Sequence, residues 1–511
     1  MDVDNGHADA KVSEQQKPAG RGGWSAAIFI LLAELTERFA YFGLSANLIT
    51  YLTNELHEPI STASKNVNMW TGLACILPVL GALIADSFLG RFKTIILASI
   101  IYFMGTVVLV LSASVIPLHR RKAVFFVALY MLIVGEGVHK PCVHTFAADQ
   151  FEEDSEEDKK TKSSFFNWWF LGIMLGSFSA LLVVVYVQEN VSWVVGFGML
   201  AIALAVSLAI FLLGIKRYLD KAMIIDSIDA GRSIRDPWRL CFLNEVEEVK
   251  LFLRFFPIWL SCIVLALSLS PTGTYYTKQG STMIRSIGPH FDISPATLQG
   301  VIFLTSLITT PIYDRIFVRL ARKFTGLPSG ITVLQRIGIG LFMSPLIMAV
   351  SALVEAKRIG VAKDHKLMDN PKAIVPMKVW WLLPQYILTG LSDFFIFVGL
   401  QELFYIQMPE AMRSIGGALC LGALGLGFFM SSAMISVVQK ISLRCGEEWL
   451  CDNLNRAHLD YYYWLLAGLS ALSFCVYVWI AKSFEYKNVQ RDDVPAEEEL
   501  TSINGHQDGE A

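Results

Sequence analysis

The segment AELTERFAYFG, residues 33–43, sets Glu34, Glu37 and Arg38 in an otherwise apolar run. On a helix turning about 100° per residue the three fall within roughly a quarter of the circumference, and Tyr41 and Ser45 share that stripe. One charge at the centre of a bilayer costs about 2.5–3.5 kcal/mol, so three imply partners or a wet cavity. Glu34 and Arg38 stand at i, i+4 and can pair for packing alone. Glu37 is then left needing a cation from another helix or a proton, and a carboxylate poised between those states suits a proton-coupled machine. A second set lies in LIVGEGVHKPCVHTFAADQF, where Lys140 follows a long apolar run and precedes Pro141, with Glu136 four residues before it. One ammonium cannot fully neutralise two carboxylates, so either Glu136 or a carboxylate of the first helix holds Lys140. His139 can titrate near neutral pH, but as a single histidine it is read as structural. A third polar point is Asp393 in TGLSDFFIFVG, with Tyr386 and Thr389 on its helical face as a small strip for a solute.

The rest of the chain must hold these groups in a bilayer. Of 511 residues, 54% are hydrophobic and 17% charged, with mean hydropathy +0.49, which describes an integral membrane protein. A net charge of −3 gives no support to nucleic-acid binding. Residues 1–23 are polar and the apolar run from Trp24 is too long for a cleaved signal peptide, so the first helix is expected to stay. Apolar stretches long enough to cross about 30 Å of hydrocarbon lie near 24–52, 69–88, 93–116, 123–148, 164–187 and 192–214. Six more lie near 251–277, 297–320, 332–355, 379–405, 414–438 and 460–482. Between the sets runs a charged link with Gly231 and Pro237.

The expected layout is an N-terminal cytoplasmic tail (1–23), a six-helix bundle (24–214), a cytoplasmic link (215–250), a second six-helix bundle (251–482) and a disordered tail (483–511). Lys and Arg mark the link, the GRFK turn and RIFVRLARK, which puts both termini on the cytoplasmic side, although HRRK (119–122) and loop 356–378 oppose that bias. GALIADSFLGR, with Asp86 and Arg91, is echoed after the eighth span by TPIYDRIFVRLARK, with Asp314, Arg315 and Arg319. Two parallel six-helix repeats make an all-α membrane protein of twelve transmembrane helices in the major facilitator architecture, with its binding site between the halves.

The motifs also carry a resemblance. ELTERF is similar to the ExxER motif of the proton-coupled oligopeptide transporters, whose plant branch is the nitrate/peptide transporter family. GALIADSFLGR, GVHKPCVHTFAADQFEED, FFNWWFLGIMLGS, TYYTKQGSTMIRSIG and VGLQELFYIQMPEAMRSIGGAL resemble further landmarks of the plant members, from about Gly22 to Tyr486. The resemblance implies a proton symporter in which carboxylates at Glu34 and Glu37, with Arg38, exchange between a proton and a salt bridge to Lys140. It places Asp393 near the solute and the inner gate, and the alternating-access reading expects the solute in the region of Asp393, Tyr41 and Tyr275. Glu136 and His139 are neighbours that modulate the exchange. GEGVHKPC resembles a subgroup with vacuolar-membrane nitrate transporters, so the vacuolar membrane is favoured and the plasma membrane is next. One plant nitrate transporter uses a helix 7 histidine where this chain has Leu269, so an anion must be balanced by Lys140 or Arg38. The central link is shorter than the family norm.

Thinner signals complete the reading. Thr94 in RFKT matches a threonine that a regulatory kinase can modify in the family. Cys445 and Cys451 share a polar loop and can form a disulfide if it faces an oxidising compartment. HTFAAD gives a bare HxxxxD at His144 and Asp149, with no further catalytic context, and Walker loops, paired metal ligands and a nucleophile elbow are missing, so no enzyme, metal or cofactor is expected. The expected partners are protons, a small-molecule solute and the bilayer. Nitrate, a related small anion or a short peptide leads as solute, a plant hormone or glucoside follows, and a non-transporting sensor of the same fold is the other class.

Overall fold

The computed structural model describes residues 23–85, 91–148, 156–214, 257–288, 291–326, 331–407, 413–444, 446 and 448–483. Twelve long helices organise them. The first six are α1 (Gly23–Ser45), α2 (Ile60–Ile84), α3 (Arg91–Ser114), α4 (Leu118–Ala148), α5 (Glu156–Asn190) and α6 (Trp193–Leu213). A short helix, Leu48–Asn54, joins α1 to α2. The second six are α7 (Pro257–Ser281), α8 (Gly300–Ile312, continued to Thr325), α9 (Val333–Asp364), α10 (Leu383–Gln407), α11 (Arg413–Arg444) and α12 (Leu459–Ser483). Eleven are long and apolar enough to cross a membrane, and α1 is set apart by its three charges, which fall in every 18-residue window of it. The link 215–250, the tails, Asp86 and Asp149 lie outside the described residues.

Several helices outrun their apolar stretches, and each excess has a partner. α2 begins at Ile60 rather than residue 69 because Ser61, Lys65 and Asn68 in its polar first turns meet α11 instead of lipid. HRRK, expected as a loop, lies in the first turns of α4. α9 runs to Asp364, taking in part of the expected loop 356–378, because Glu355 and Arg358 pair at 2.6 Å inside the protein, both fully buried. A capping box between Thr332 and Gln335 starts that helix. Pro271 and Gly273 interrupt α7 with a 3₁₀ turn at Ser270–Gly273. A short parallel pair, β1 (Met283–Ile284) with β2 (Val375–Lys378), follows α7.

The two halves cross most closely where α2 meets α11. A Cβ at Gly72 would lie 2.9 Å from the Gly425 carbonyl oxygen, and one at Gly425 would lie 2.6 Å from that of Gly72. Only two glycines permit that approach, and packing of this kind joins helices where lipid supplies no hydrophobic drive. Among the described residues, the hydrogen bonds that join the halves all lie toward the end where α1, α5 and α7 finish, here the distal end. Examples are Lys65 to Gln439 at 3.3 Å, Asn68 to Ser431 at 3.2 Å, and Gln299 to the Ala46 carbonyl at 2.9 Å. Phe42 on α1 and Phe303 on α8 add an edge-to-face contact at 4.9 Å.

Candidate proton and solute site

The charged stripe of α1 faces the protein. Glu34, Glu37 and Arg38 are 5%, 1% and 4% exposed. Gly176 of α5 lets α1 pack this closely, since a Cβ there would lie 2.5 Å from the Leu35 carbonyl oxygen. On the opposite wall, Gly135 and Gly137 flank Glu136, and any Cβ on them would collide with Tyr102 of α3 and Leu77 of α2. The GEG sequence thereby lets α2 and α3 close around a carboxylate that is itself only 2% exposed. Pro141, next to Lys140, removes one backbone N–H from the helix ladder.

Arg38 is the hub. Its Nε donates to Glu37 Oε2 at 2.5 Å and lies 3.4 Å from Glu34 Oε1, while Nη2 donates to Glu136 Oε1 at 3.4 Å. A guanidinium carries five donors in a planar fork, so it can serve three carboxylates where an ammonium could not. Its face also lies 5.2 Å from the ring centre of Tyr41, which stacks on Trp70 at 5.6 Å. Lys140 Nζ sits 3.6 Å from the same Glu136 oxygen, and it is the open member of the cluster at 33% exposure.

One expectation from sequence changes here, and one alternative left open is decided. Glu37 does have a cation on its own helix, the adjacent Arg38, because the long guanidinium folds back past the i, i+1 divergence that separates shorter side chains. The contest for Lys140 goes to Glu136 in this conformation rather than to Glu34 or Glu37. Glu37 Oε1, Glu136 Oε2 and His139 Nδ1 are enclosed without a hydrogen-bond partner among the described residues. Three carboxylates thus surround two cations.

The solute residues are less gathered. Asp393 is half-buried, and its Oδ1 is enclosed with no partner among the described residues. Thr389 Oγ1 is spent on the Gln385 carbonyl at 2.7 Å, and the Tyr386 ring packs edge-on to Tyr276 at 5.6 Å. The expected polar strip of Tyr386 and Thr389 is therefore absorbed into the core of the second half. Tyr275, 1% exposed, packs on Tyr462 at 5.7 Å, and among the described residues no hydrogen bond or ion pair joins Tyr41, Tyr275 and Asp393. Leu269 ends the helix just before the α7 break and packs into an apolar core. Thr94 is 1% exposed, so it is packed rather than presented. Cys445 lies outside the described residues, and with it the Cys445–Cys451 pairing; Cys451 Sγ donates to the Asn453 carbonyl at 3.1 Å.

Sequence reading missed several buried charges: Arg336, which donates to the Tyr313 hydroxyl at 2.8 Å, Lys278, and the Glu355–Arg358 pair. Each stands within or against an apolar span, which is itself the signal that could have found it.

Comparison with known proteins now decides the family. The POT family model matches residues 92–223 and 215–450. Protein NRT1/PTR FAMILY 5.4 of Arabidopsis thaliana is 48% identical over 543 aligned residues, covering 94% of this chain and 98% of that one. This chain belongs to the POT family. NRT1/PTR FAMILY 5.10 of the same plant is 45% identical, with 94% and 96% covered. Among solved structures, an auto-inhibited POT family peptide transporter superposes with a TM-score of 0.75 at 18% identity, covering 91% of this chain and 98% of that one. PepTSo, also of the POT family, gives 0.71 at 20%, covering 90% and 98%. The fold is that of a multi-pass membrane transporter with twelve helices. The 543 aligned positions exceed what 94% of 511 residues can fill, so this chain carries gaps against that relative, and the two family-model segments overlap at 215–223.

Proposed function

We propose that this POT family transporter is a proton-coupled symporter of nitrate, a related small anion or a short peptide, working by alternating access. The observation that carries the reading is the imbalance of the buried cluster. Glu34, Glu37 and Glu136 offer three negative charges against those of Arg38 and Lys140, so the cluster reaches neutrality by taking one proton. Buried charge that is not balanced is expensive, which ties the protonation state to the surrounding conformation.

The geometry also suggests how a proton is linked to an anion. Lys140 is the one cluster cation with a partly open side, and Glu136 is its ion-pair partner. A proton on Glu136 releases Lys140 to a solute anion, while Arg38 remains held by Glu37. Solute and proton then favour the same state, which is the condition for coupling. Asp393, with Tyr41 and Tyr275, is assigned to the solute side of the cycle; the enclosed, unpartnered Oδ1 of Asp393 supports a role for that group. The GEGVHKPC resemblance favours the vacuolar membrane over the plasma membrane. Phosphorylation at Thr94 requires a conformation that lifts it out of its packing.

The test is uptake into reconstituted vesicles under an imposed inward pH gradient, with nitrate and a dipeptide as solutes. The wild-type chain accumulates solute above its outside concentration, and Glu37→Gln binds solute and folds but does not accumulate it. Saturable binding without flux for any solute in the wild type assigns the chain to the sensor class instead.

A further inference from the structure

At the distal end the halves flank an open cleft of about 440 Å³, lined among others by Thr53, Asn54, Ile60, Lys278 and Asp452. Two of these are charged groups that the second half presses onto the first. Lys278, at the end of α7 and only 8% exposed, donates to Thr53 Oγ1 at 2.8 Å and Asn54 Oδ1 at 3.1 Å. It forms no ion pair among the described residues; Glu189, whose charge reaches it, is bonded to Ser294 at 2.6 Å. Asp452 Oδ1 accepts from the N–H of Ile60 at 2.8 Å, and Ile60 is the first residue of the 25-residue helix α2, where orphan donors and the helix dipole favour an anion.

Both contacts fall on one elbow of the first half, the end of Leu48–Asn54 and the start of α2. Both also rest on one support in the second half. Gln279, next to Lys278, donates to Glu355 Oε2 at 2.6 Å. Arg358 donates to the Leu454 carbonyl at 2.6 Å and to Asn455 Oδ1 at 2.8 Å, close after Asp452 in sequence. Glu355 and Arg358 are themselves a fully buried pair. A buried ion pair is a weak source of stability but a strong fixer of geometry when all its hydrogen bonds are made.

We propose that Lys278 and Asp452 are the positioning residues that hold the distal end closed, with the Glu355–Arg358 pair setting their spacing so that they leave the first half together. In both contacts a charged group meets a neutral one. Water can replace the neutral partner as the halves part, so the contact is reversible in a way that a buried ammonium–carboxylate pair is not. This inference rests on the alternating-access reading, but its test does not need flux.

The experiment is amide hydrogen exchange on the full chain in lipid nanodiscs, comparing wild type with Lys278→Ala, Thr53→Val, Asp452→Ala and the double variant Lys278→Ala/Asp452→Ala. Removing a hydrogen bond to a charged group is expected to speed exchange across 48–66 by about tenfold or more. Exchange across 344–358 in the core of the second half stays at the wild-type rate, and Lys278→Arg restores the slow rate at 48–66. Because the two contacts part in one opening step, each single variant speeds exchange across the whole of 48–66, and the double variant speeds it by about the product of the two single factors. Unchanged exchange at 48–66 in the single variants overturns the proposal. So does an equal rise at 344–358, which marks general loosening, or single variants that each speed only the amides beside their own contact, which marks two independent contacts.

Discussion

Glu136→Gln isolates the part of the cluster that sequence alone ranked as a modulating neighbour. Lys140 Nζ lies 3.6 Å from Glu136 Oε1. At an effective dielectric of about 20 that pair attracts by about 4–5 kcal/mol, and the 33% exposure of Lys140 reduces this to about half. The remainder is comparable to the ~2 kcal/mol of rotamer freedom a lysine regains on release. The lysine is thus held by a margin that a single proton on Glu136 can remove. Glutamine keeps the shape, removes the charge and leaves two carboxylates facing two cations, so Lys140 is free at every pH and no proton is needed. Wild-type uptake at limiting proton concentration should fall about tenfold for each unit rise in outside pH, as one proton per cycle dictates. In Glu136→Gln the dependence should be flat between pH 5.5 and 7.5, with downhill exchange retained and accumulation lost. Initial rates in proteoliposomes with radiolabelled solute measure both. A Glu136→Gln protein with the wild-type slope and intact accumulation refutes the reasoning.

Other consequences follow from particular contacts. Gly425→Val places methyl groups against the Gly72 carbonyl and Ile76, overpacking the crossing of the halves by about 1–3 kcal/mol; transport should fall sharply while detergent-solubilised protein melts only a few degrees lower. Arg358→Ala leaves Glu355 buried without its ion-pair partner, for about 3–5 kcal/mol of destabilisation in a thermal melt. Replacing both Glu355 and Arg358 with apolar residues of similar volume should recover most of that loss, and failure to recover any of it counts against the charge argument. Asp393→Asn should raise the KM for solute about tenfold with little change in melting temperature, and an unchanged KM removes Asp393 from the solute side.

Much of this architecture is written in local pattern. Helix period alone put Glu34, Glu37 and Arg38 on one stripe, and the structure buries that stripe. The i, i+4 spacing of Glu136 and Lys140 forecast a pair that is present at 3.6 Å. Long-range partners were illegible: Arg38 and Glu136 are 98 residues apart, and helix packing rather than local spacing brings them together. Hydropathy ended the ninth span at 355, so Arg358 was read into a loop when it is a core residue of α9. Tyr386 failed for the opposite reason, because a helical face shows which residues share a side but not whether that side meets a cavity or other aromatic rings. The loop residue Asp452 carried no local signal for its place at the start of α2, 392 positions away.

The central claim is that three buried carboxylates and two cations bind one proton per transported solute. Proton entry, followed with a trapped pH-sensitive dye, and solute entry should be measured together in the same proteoliposomes. The account predicts one proton entering with each monovalent anion, therefore no net charge movement, and no proton entry with Glu37→Gln. Solute entry without protons in the wild type, or undiminished proton entry with solute in Glu37→Gln, contradicts it.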